Sequence, residues 1–278
     1  MLTLIATLAM LQARTPSLTG HIETLTHASK ALGNTRKVLV YLPPHYASEP
    51  KRRYPVLYLH DGQNVFDGAT SYIPNQEWKC DEAAESLISA GLIEPIIMVA
   101  IENAGVERGN EYLWKQMKLR DQEMGGKGDL YAKLVIDEVK PVIDQKYRSN
   151  PRESALCGSS LGGNITYHLG FNNPGVFKRL AIVSPAVWCN ERLMIEEVKA
   201  LKAKLPVRIW LDMGGKEGAQ GLNDTRAFRD ALAGKGWTLG KDLAYYEDGF
   251  AEHNEAAWAR RFPAMLLWMF GKPVLGKP

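Results

Sequence analysis

Two glycines flank a serine in Cys157-Gly158-Ser159-Ser160-Leu161-Gly162-Gly163. The pattern Gly-x-Ser-x-Gly puts Ser160 where a hydroxyl can act as a nucleophile on an acyl carbon. A side chain presented on a sharp strand-to-helix turn needs room in the backbone around it, which Gly158 and Gly162 supply. The helix that follows aims its unpaired N–H groups at the reaction centre, where negative charge develops. A tight structural turn with an idle hydroxyl has the same pattern, so the flanking elements decide. Asn150-Pro151 opens a turn, and Ser154-Ala155-Leu156-Cys157 has the apolar content of a short buried strand. Leu161 to Asn173 carries Ile165 and Leu169 at helical spacing and stops at Pro174.

A serine hydroxyl is a weak nucleophile until a base removes its proton, and the base needs an acid to orient it. His21, His27, His45 and His60 precede the elbow, and His168 lies on the elbow helix, too far along to approach Ser160. His253 remains, in the loop after the last predicted strand, where a base can reach back over the strand ends. The acid belongs just past the strand predicted at 207–213, and Asp212, Glu217 and Asp224 all qualify by position. Glu217 is preferred, because the turn Gly214-Gly215-Lys216-Glu217-Gly218 can aim a carboxylate at an imidazole. Asp212 falls within the strand, and Asp224 reads as the N-cap of a helix over 225–233. Two backbone donors must hold the oxyanion. Leu161 N–H follows the nucleophile, and Gln63 N–H, in His60-Asp61-Gly62-Gln63-Asn64, is the second candidate.

These residues need a scaffold that brings strand ends together. Alternation predicts strands at 21–28 and 35–42, joined by a hairpin at Leu32-Gly33-Asn34. Apolar runs predict buried strands at 56–59, 96–101, 154–157, 180–183, 207–213 and 243–246. Helices are predicted at 80–90, at 129–147 with a bend at Pro141, at 161–173, at 192–205, at 225–233 and from Glu255 onward. Later strands that alternate with helices and are apolar on both faces imply a mostly parallel sheet of eight strands, covered on both sides. One α/β domain over about 20–272 is expected.

With 278 residues, 45% hydrophobic, 23% charged and a net charge of +3, the chain is an ordinary globular one without the basic footprint of a nucleic-acid binder. No metal-ligand spacing appears, and neither a metal nor another cofactor is expected. Three cysteines leave one disulfide, Cys80 to Cys189, conceivable but not demanded by spacing. Met1 to Ala13 resembles the apolar part of a secretory signal, although no Lys or Arg stands near Met1. A periplasmic or secreted protein is therefore expected, with a packed N-terminal segment in a cytoplasmic enzyme as the alternative. The segment is too short for a membrane span. Oligomeric state leaves no mark in the sequence.

Five ordered pieces resemble one known family: Tyr41-Leu42-Pro43-Pro44; Tyr54-Pro55-Val56-Leu57-Tyr58-Leu59-His60-Asp61-Gly62-Gln63-Asn64; Asn103-x-x-x-x-Arg108-x-x-Glu111-Tyr112; the serine motif; and His253-Asn254-Glu255-x-x-Trp258. The family is the "putative esterase" branch of the α/β hydrolases, with enterochelin esterase-like enzymes, feruloyl and acetylxylan esterases, S-formylglutathione hydrolase and the mycolyltransferases. The resemblance implies an α/β-hydrolase fold with Ser160 as nucleophile, His253 as base, Glu217 as acid, and Gln63 and Leu161 as oxyanion donors.

The short connection between Val183 and Val207 has room for one helix and no large cap domain, so an open site for a polar or bulky ester is expected. Phe66, Tyr72, Trp78, Trp114 and Trp188 fall in predicted site loops and suit a sugar or phenolic group. Trp78, Trp188 and Arg108 are the substrate-binding candidates, although Arg108 and Glu111 could instead pair and brace the loop. A serine esterase for a small-molecule or oligosaccharide ester is the leading reading. An acyltransferase using the same acyl-enzyme, or a non-catalytic ligand-binding protein on this scaffold, is the alternative.

Overall fold

The computed structural model describes residues 13–273. The segment read as an export signal therefore lies outside the described residues, apart from Ala13. The chain runs β1 (His21–Ala28), β2 (Thr35–Leu42), β3 (Tyr54–Leu59), α1 (Cys80–Ser89), β4 (Ile97–Ile101), α2 (Arg108–Tyr112), β5 (Met117–Leu119) and β6 (Gln122–Met124). There follow α3 (Gly128–Lys133), a π-helical stretch (Leu134–Val139), α4 (Lys140–Lys146), β7 (Ser149–Ser159), α5 (Leu161–Asn172) and β8 (Phe177–Val183). The last part is α6 (Cys189–Ala200), β9 (Arg208–Gly214), α7 (Ala219–Gly234), β10 (Leu243–Asp248) and α8 (Glu255–Phe270).

Eight strands form one sheet in the order β1-β2-β4-β3-β7-β8-β9-β10. β2 is antiparallel to both its neighbours, and every pair from β4 to β10 is parallel. This is the α/β-hydrolase architecture. The pleat divides the core in two. Val56 and Tyr58 face one side with Ile97, Val99, Tyr131, Leu134 and Ile165. Leu57 and Leu59 face the other with Met98, Ala84, Phe262 and Leu266. Both faces are thus filled, which is why the central strands read as unbroken apolar runs.

Several elements depart from expectation: the helix expected over 192–205 is α6, which ends at Ala200 and has left-handed backbone at Asn190, Glu191 and Arg192 in its first turn. The helix predicted over 129–147 is a composite, and its π-helical stretch absorbs the irregularity just before Pro141. α7 begins at Ala219, not Thr225, behind Gly218 at φ 97°, so no side-chain cap announces its start. A small β5–β6 hairpin, too short and polar to show a period, lies between α2 and α3. All three cysteines are buried and free, so Cys80 and Cys189 do not form a disulfide. No helix among the described residues is long and apolar enough to cross a membrane.

His60, directly after β3, is buried beneath the serine turn and hydrogen-bonded through Nδ1 to the Tyr131 hydroxyl at 2.9 Å. Burial, opposed by Asp61 and reinforced by Arg108, pushes its pKa down from 6.5 to about 4. The unfolded chain binds this proton near pH 6.5, whereas the folded chain refuses it until about pH 4. Stability from this group is therefore complete above pH 6.5 and is lost as pH falls toward 4. About 2 kcal/mol should go between pH 7 and pH 5. Urea unfolding should show that extra loss in the wild type and not in His60→Gln; equal losses would contradict it.

Candidate active site

Ser160 stands alone between β7 and α5, with φ 56° and ψ −126°. A non-glycine residue pays about 1–3 kcal/mol for such backbone, so its surroundings must hold it there. They do: Ser160 N–H donates to Val183 O at 3.0 Å, and Ser160 O accepts from Gly163 N–H at 2.9 Å. A Cβ on Gly158 would lie 2.5 Å from the Gly162 carbonyl oxygen and 2.9 Å from the His60 ring. Only glycine lets the strand and helix close to this distance. Ser160 is thereby lifted out of the fold and lines two adjoining cavities.

The loop after β3 approaches from one side. Asp61 has φ 56°, and a Cβ on Gly62 would lie 2.7 Å from backbone carbons of Ala100 and Ile101. The Asp61 carboxylate fastens the loop. It accepts Arg108 Nε–H and Nη2–H at 2.6 and 2.8 Å, and Asn103 Nδ2–H at 2.6 Å. Burial would raise the Asp61 pKa, but Arg108 and Asn103 outweigh it and hold the carboxyl below its ordinary value. The turn that results carries Gln63. Among the described residues the backbone N–H groups of Gln63 and Leu161 find no acceptor. Two such unpaired donors near Ser160 would suit a developing oxyanion.

Opposite them, His253 projects from the loop between β10 and α8. Its Nδ1–H donates to Glu217 Oε2 at 2.5 Å. A carboxylate only accepts, so Nδ1 carries a proton, and in the neutral imidazole Nε2 is then the acceptor nitrogen. The Glu217 side chain is 1% exposed, whereas that of His253 is 44% exposed. The other Glu217 oxygen accepts Ser184 Oγ–H at 2.6 Å and Gly214 N–H at 2.9 Å. Burial pushes the Glu217 carboxyl up, but these partners, led by His253, win and keep it below its usual value. Ser184 is fixed in turn: its Oγ accepts Trp258 Nε1–H at 3.2 Å and Arg261 Nη2–H at 2.7 Å.

The other two acid candidates are occupied elsewhere. Asp212 is fully buried and accepts Trp210 Nε1–H at 2.7 Å and Arg261 Nη2–H at 3.0 Å. Asp224 lies inside α7 rather than at its N-cap, and pairs with Arg192 at 2.7 Å.

The larger cavity, about 670 Å³, has Leu119, Met124, Ala186 and Trp188 in its walls beside Ser160, Glu217 and His253. The smaller, about 390 Å³, is lined by Asp61, Asn64, Asn103 and Glu255 together with Tyr72 and Ile73. Ser160, His253 and Arg108 belong to both. Trp188, 38% exposed, thus stands at the site, as does Tyr72. Trp78 does not. It is 3% exposed and packs on Trp258 and Phe262, so it is a core residue and not a substrate platform. Phe66 is also buried, and Trp114 stacks on His168 at 4.6 Å. The suggested Arg108–Glu111 pair does not form: Arg108 takes Asp61, and Glu111 takes the buried Arg36. The braces at Ser184 and Arg261 escaped the sequence reading, since nothing in their spacing ties them to Glu217.

The family model described as "Putative esterase" matches residues 29–269, and the chain belongs to that family. Among curated proteins, ferri-bacillibactin esterase BesA of Bacillus subtilis is 21% identical over 60% of this chain and 62% of its own length. A siderophore triacetylfusarinine C esterase of Aspergillus fumigatus is 25% identical over 60% of this chain and 57% of its own length. The alignments therefore span about three fifths of these relatives. Among solved structures, the BES protein from Bacillus cereus superposes with a TM-score of 0.74 at 20% identity, covering 93% of this chain and 98% of its own. The enterobactin esterase FES from Shigella flexneri gives 0.73 at 17% identity, covering 92% and 60%. These likenesses establish the fold.

The serine turn makes a stability prediction. Gly158→Ala should destabilise by about 3 kcal/mol or more, because its new methyl meets backbone that cannot yield. Gly175→Ala, with open space around its Cβ position, should leave the urea midpoint almost unmoved. Equal midpoints for the two variants would contradict the close approach at Gly158.

Proposed function

We propose that this chain is a carboxylic-ester hydrolase working through an acyl-enzyme on Ser160. The observation that carries the reading is the buried Glu217 bound to the half-exposed His253, whose free Nε2 serves the cavity lined by the strained Ser160. In the first step, His253 Nε2 takes the Ser160 proton as Oγ attacks the ester carbonyl. The N–H groups of Leu161 and Gln63 stabilise the oxyanion, and Glu217 stabilises the imidazolium. Collapse expels the alcohol, which receives its proton from His253. Water, deprotonated by the same imidazole, then attacks the acyl-enzyme, releases the acid and regenerates Ser160.

Two cavities meeting at the nucleophile suit an ester with bulk on both sides of the scissile bond. The larger one, walled by Leu119, Met124 and Trp188, fits an aromatic or acyl portion, and the smaller one, lined by Asp61, Asn64, Asn103 and Glu255, fits a hydroxyl-rich portion. A polar conjugate of the sugar, phenolic or siderophore type matches that division. The named relatives, siderophore esterases among them, support the same class. Its solved relatives also include a ferulic acid esterase, with a TM-score of 0.68 at 19% identity.

Steady-state kinetics on p-nitrophenyl acetate and a panel of feruloyl, acetyl-sugar and catecholate esters tests this proposal. Ser160→Ala should lower kcat by at least about 10⁴-fold. Glu217→Gln should lower it by roughly 10³- to 10⁴-fold with KM little changed, because the imidazole loses its orienting charge. Asp224→Asn should remain near wild type. Wild-type turnover in Ser160→Ala would overturn the proposal, and an inactive Asp224→Asn beside an active Glu217→Gln would reassign the acid.

A further inference from the structure

Away from the active site, Glu77, Asp81 and Glu82 bring three carboxylates together where α1 begins. One oxygen from each lies within 4.8 Å of the other two. Glu77 is 4% exposed and Asp81 0%. Among the described residues none of the three forms a salt bridge, and the nearby Lys79 pairs with none of them. Glu77 Oε2, Asp81 Oδ1 and Glu82 Oε2 are buried and have no hydrogen-bond partner. The remaining oxygens of the first two are occupied: Glu77 Oε1 accepts the Ser17 hydroxyl, and Asp81 Oδ2 accepts Thr19 N–H at 2.6 Å. Each of these two side chains is therefore held by one oxygen and presents the other, unsatisfied, to the cluster.

Acids in the first turn of a helix gain from its dipole, and that accounts for Asp81 and Glu82 individually. It does not account for a third carboxylate converging on them from outside the helix, nor for three buried acceptors without a donor. Buried carboxylates left this way are expensive unless a positive charge or a proton joins them.

We propose that Glu77, Asp81 and Glu82 form a binding site for a hard divalent cation of the calcium type. The donors are all oxygen, with no imidazole or thiolate to attract zinc or copper. Calcium accepts an irregular set of carboxylate, hydroxyl and water oxygens, whereas magnesium demands a near-ideal octahedron and keeps its water. Glu82 is only partly buried, which leaves water a route to the remaining positions.

The site would fasten a structural seam. Residues 13–19 run along the loop 67–81 and are tied to it at several points. Arg14 Nη1 donates to Ala69 O and Ser71 O at 2.8 and 3.0 Å, Thr15 N–H to Asn75 Oδ1 at 2.9 Å, and Ser17 N–H to Asp67 Oδ1 at 3.2 Å. Tyr72 and Ile73 of the same loop wall the smaller cavity. A cation held at Glu77 and Asp81 would lock both strap contacts, at Ser17 and Thr19, and so stiffen that wall. The alternative occupant is a proton: burial and the facing Glu82 carboxyl lift Asp81 to about 8 in the cation-free protein.

Thermal unfolding and terbium luminescence of the chelator-stripped full chain distinguish the two. Calcium at about 100 times its Kd should raise the wild-type Tm by roughly 5 °C or more, and magnesium should do less. Terbium should give luminescence sensitised by the adjoining Trp78, which calcium displaces. Asp81→Asn should lose the calcium shift yet keep a metal-free Tm close to that of the wild type, because an amide oxygen can still accept Thr19 N–H. Glu77→Gln should also lose the shift, and serves if Asp81→Asn folds poorly. No calcium shift in the wild type, or a shift undiminished in these variants, would overturn the proposal and leave the proton as occupant.

Discussion

The backbone of Ser160 is the constraint from which the rest follows. A left-handed φ at a serine is tolerable only where strand, helix and neighbouring strand all grip the turn. The grip comes from Val183 O on one side and from the contact of Gly158 with Gly162 on the other. It requires β7 and β8 to be adjacent and parallel, with α5 leaving directly from the strand end. Placing Ser160 at the carboxyl end of β7 also puts it beside the loops that follow β3, β9 and β10. Gln63, Glu217 and His253, the donor, acid and base of the proposal, then arrive from three separate stretches of chain.

Two buried charge clusters hold those loops. Asp61 binds Arg108 and Asn103 and sets the loop that carries Gln63; Asp212, Arg261 and Ser184 set Glu217. Each centres on a carboxylate that burial alone would neutralise, and only the Asp61 and Glu217 carboxyls have partners strong enough to push the pKa below normal. Asp212 goes the other way, raised by burial despite Arg261. The Asp61 and Glu217 carboxylates are therefore fixed in position and in charge, while the His253 side chain stays half-exposed beside the cavities.

Much of this was legible in the sequence because it depended on local pattern. Eight apolar or alternating runs gave the eight strands of the sheet, and the glycines around Ser160 announced the turn. The rest depended on distant contacts. Arg108 and Glu111 are three apart and read as a pair, yet α2 turns them to different partners, Asp61 and Arg36. Trp78 has the composition of a binding aromatic, but α8 covers it with Trp258 and Phe262. Asp224 imitates a helix cap because the true start of α7, at Gly218, carries no capping side chain. The acid cluster at Glu77 has no linear signature, since the loop before α1 alone brings it to Asp81 and Glu82.

Ser160 is proposed to be a nucleophile activated by its setting. The most direct test is the mass of the intact chain after a brief exposure to a fluorophosphonate, with peptide mapping of the adduct. A single phosphonyl group on Ser160, formed rapidly in the wild type and far more slowly in His253→Ala, is the predicted result. No adduct, or labelling at another residue at equal rate in both proteins, would contradict it.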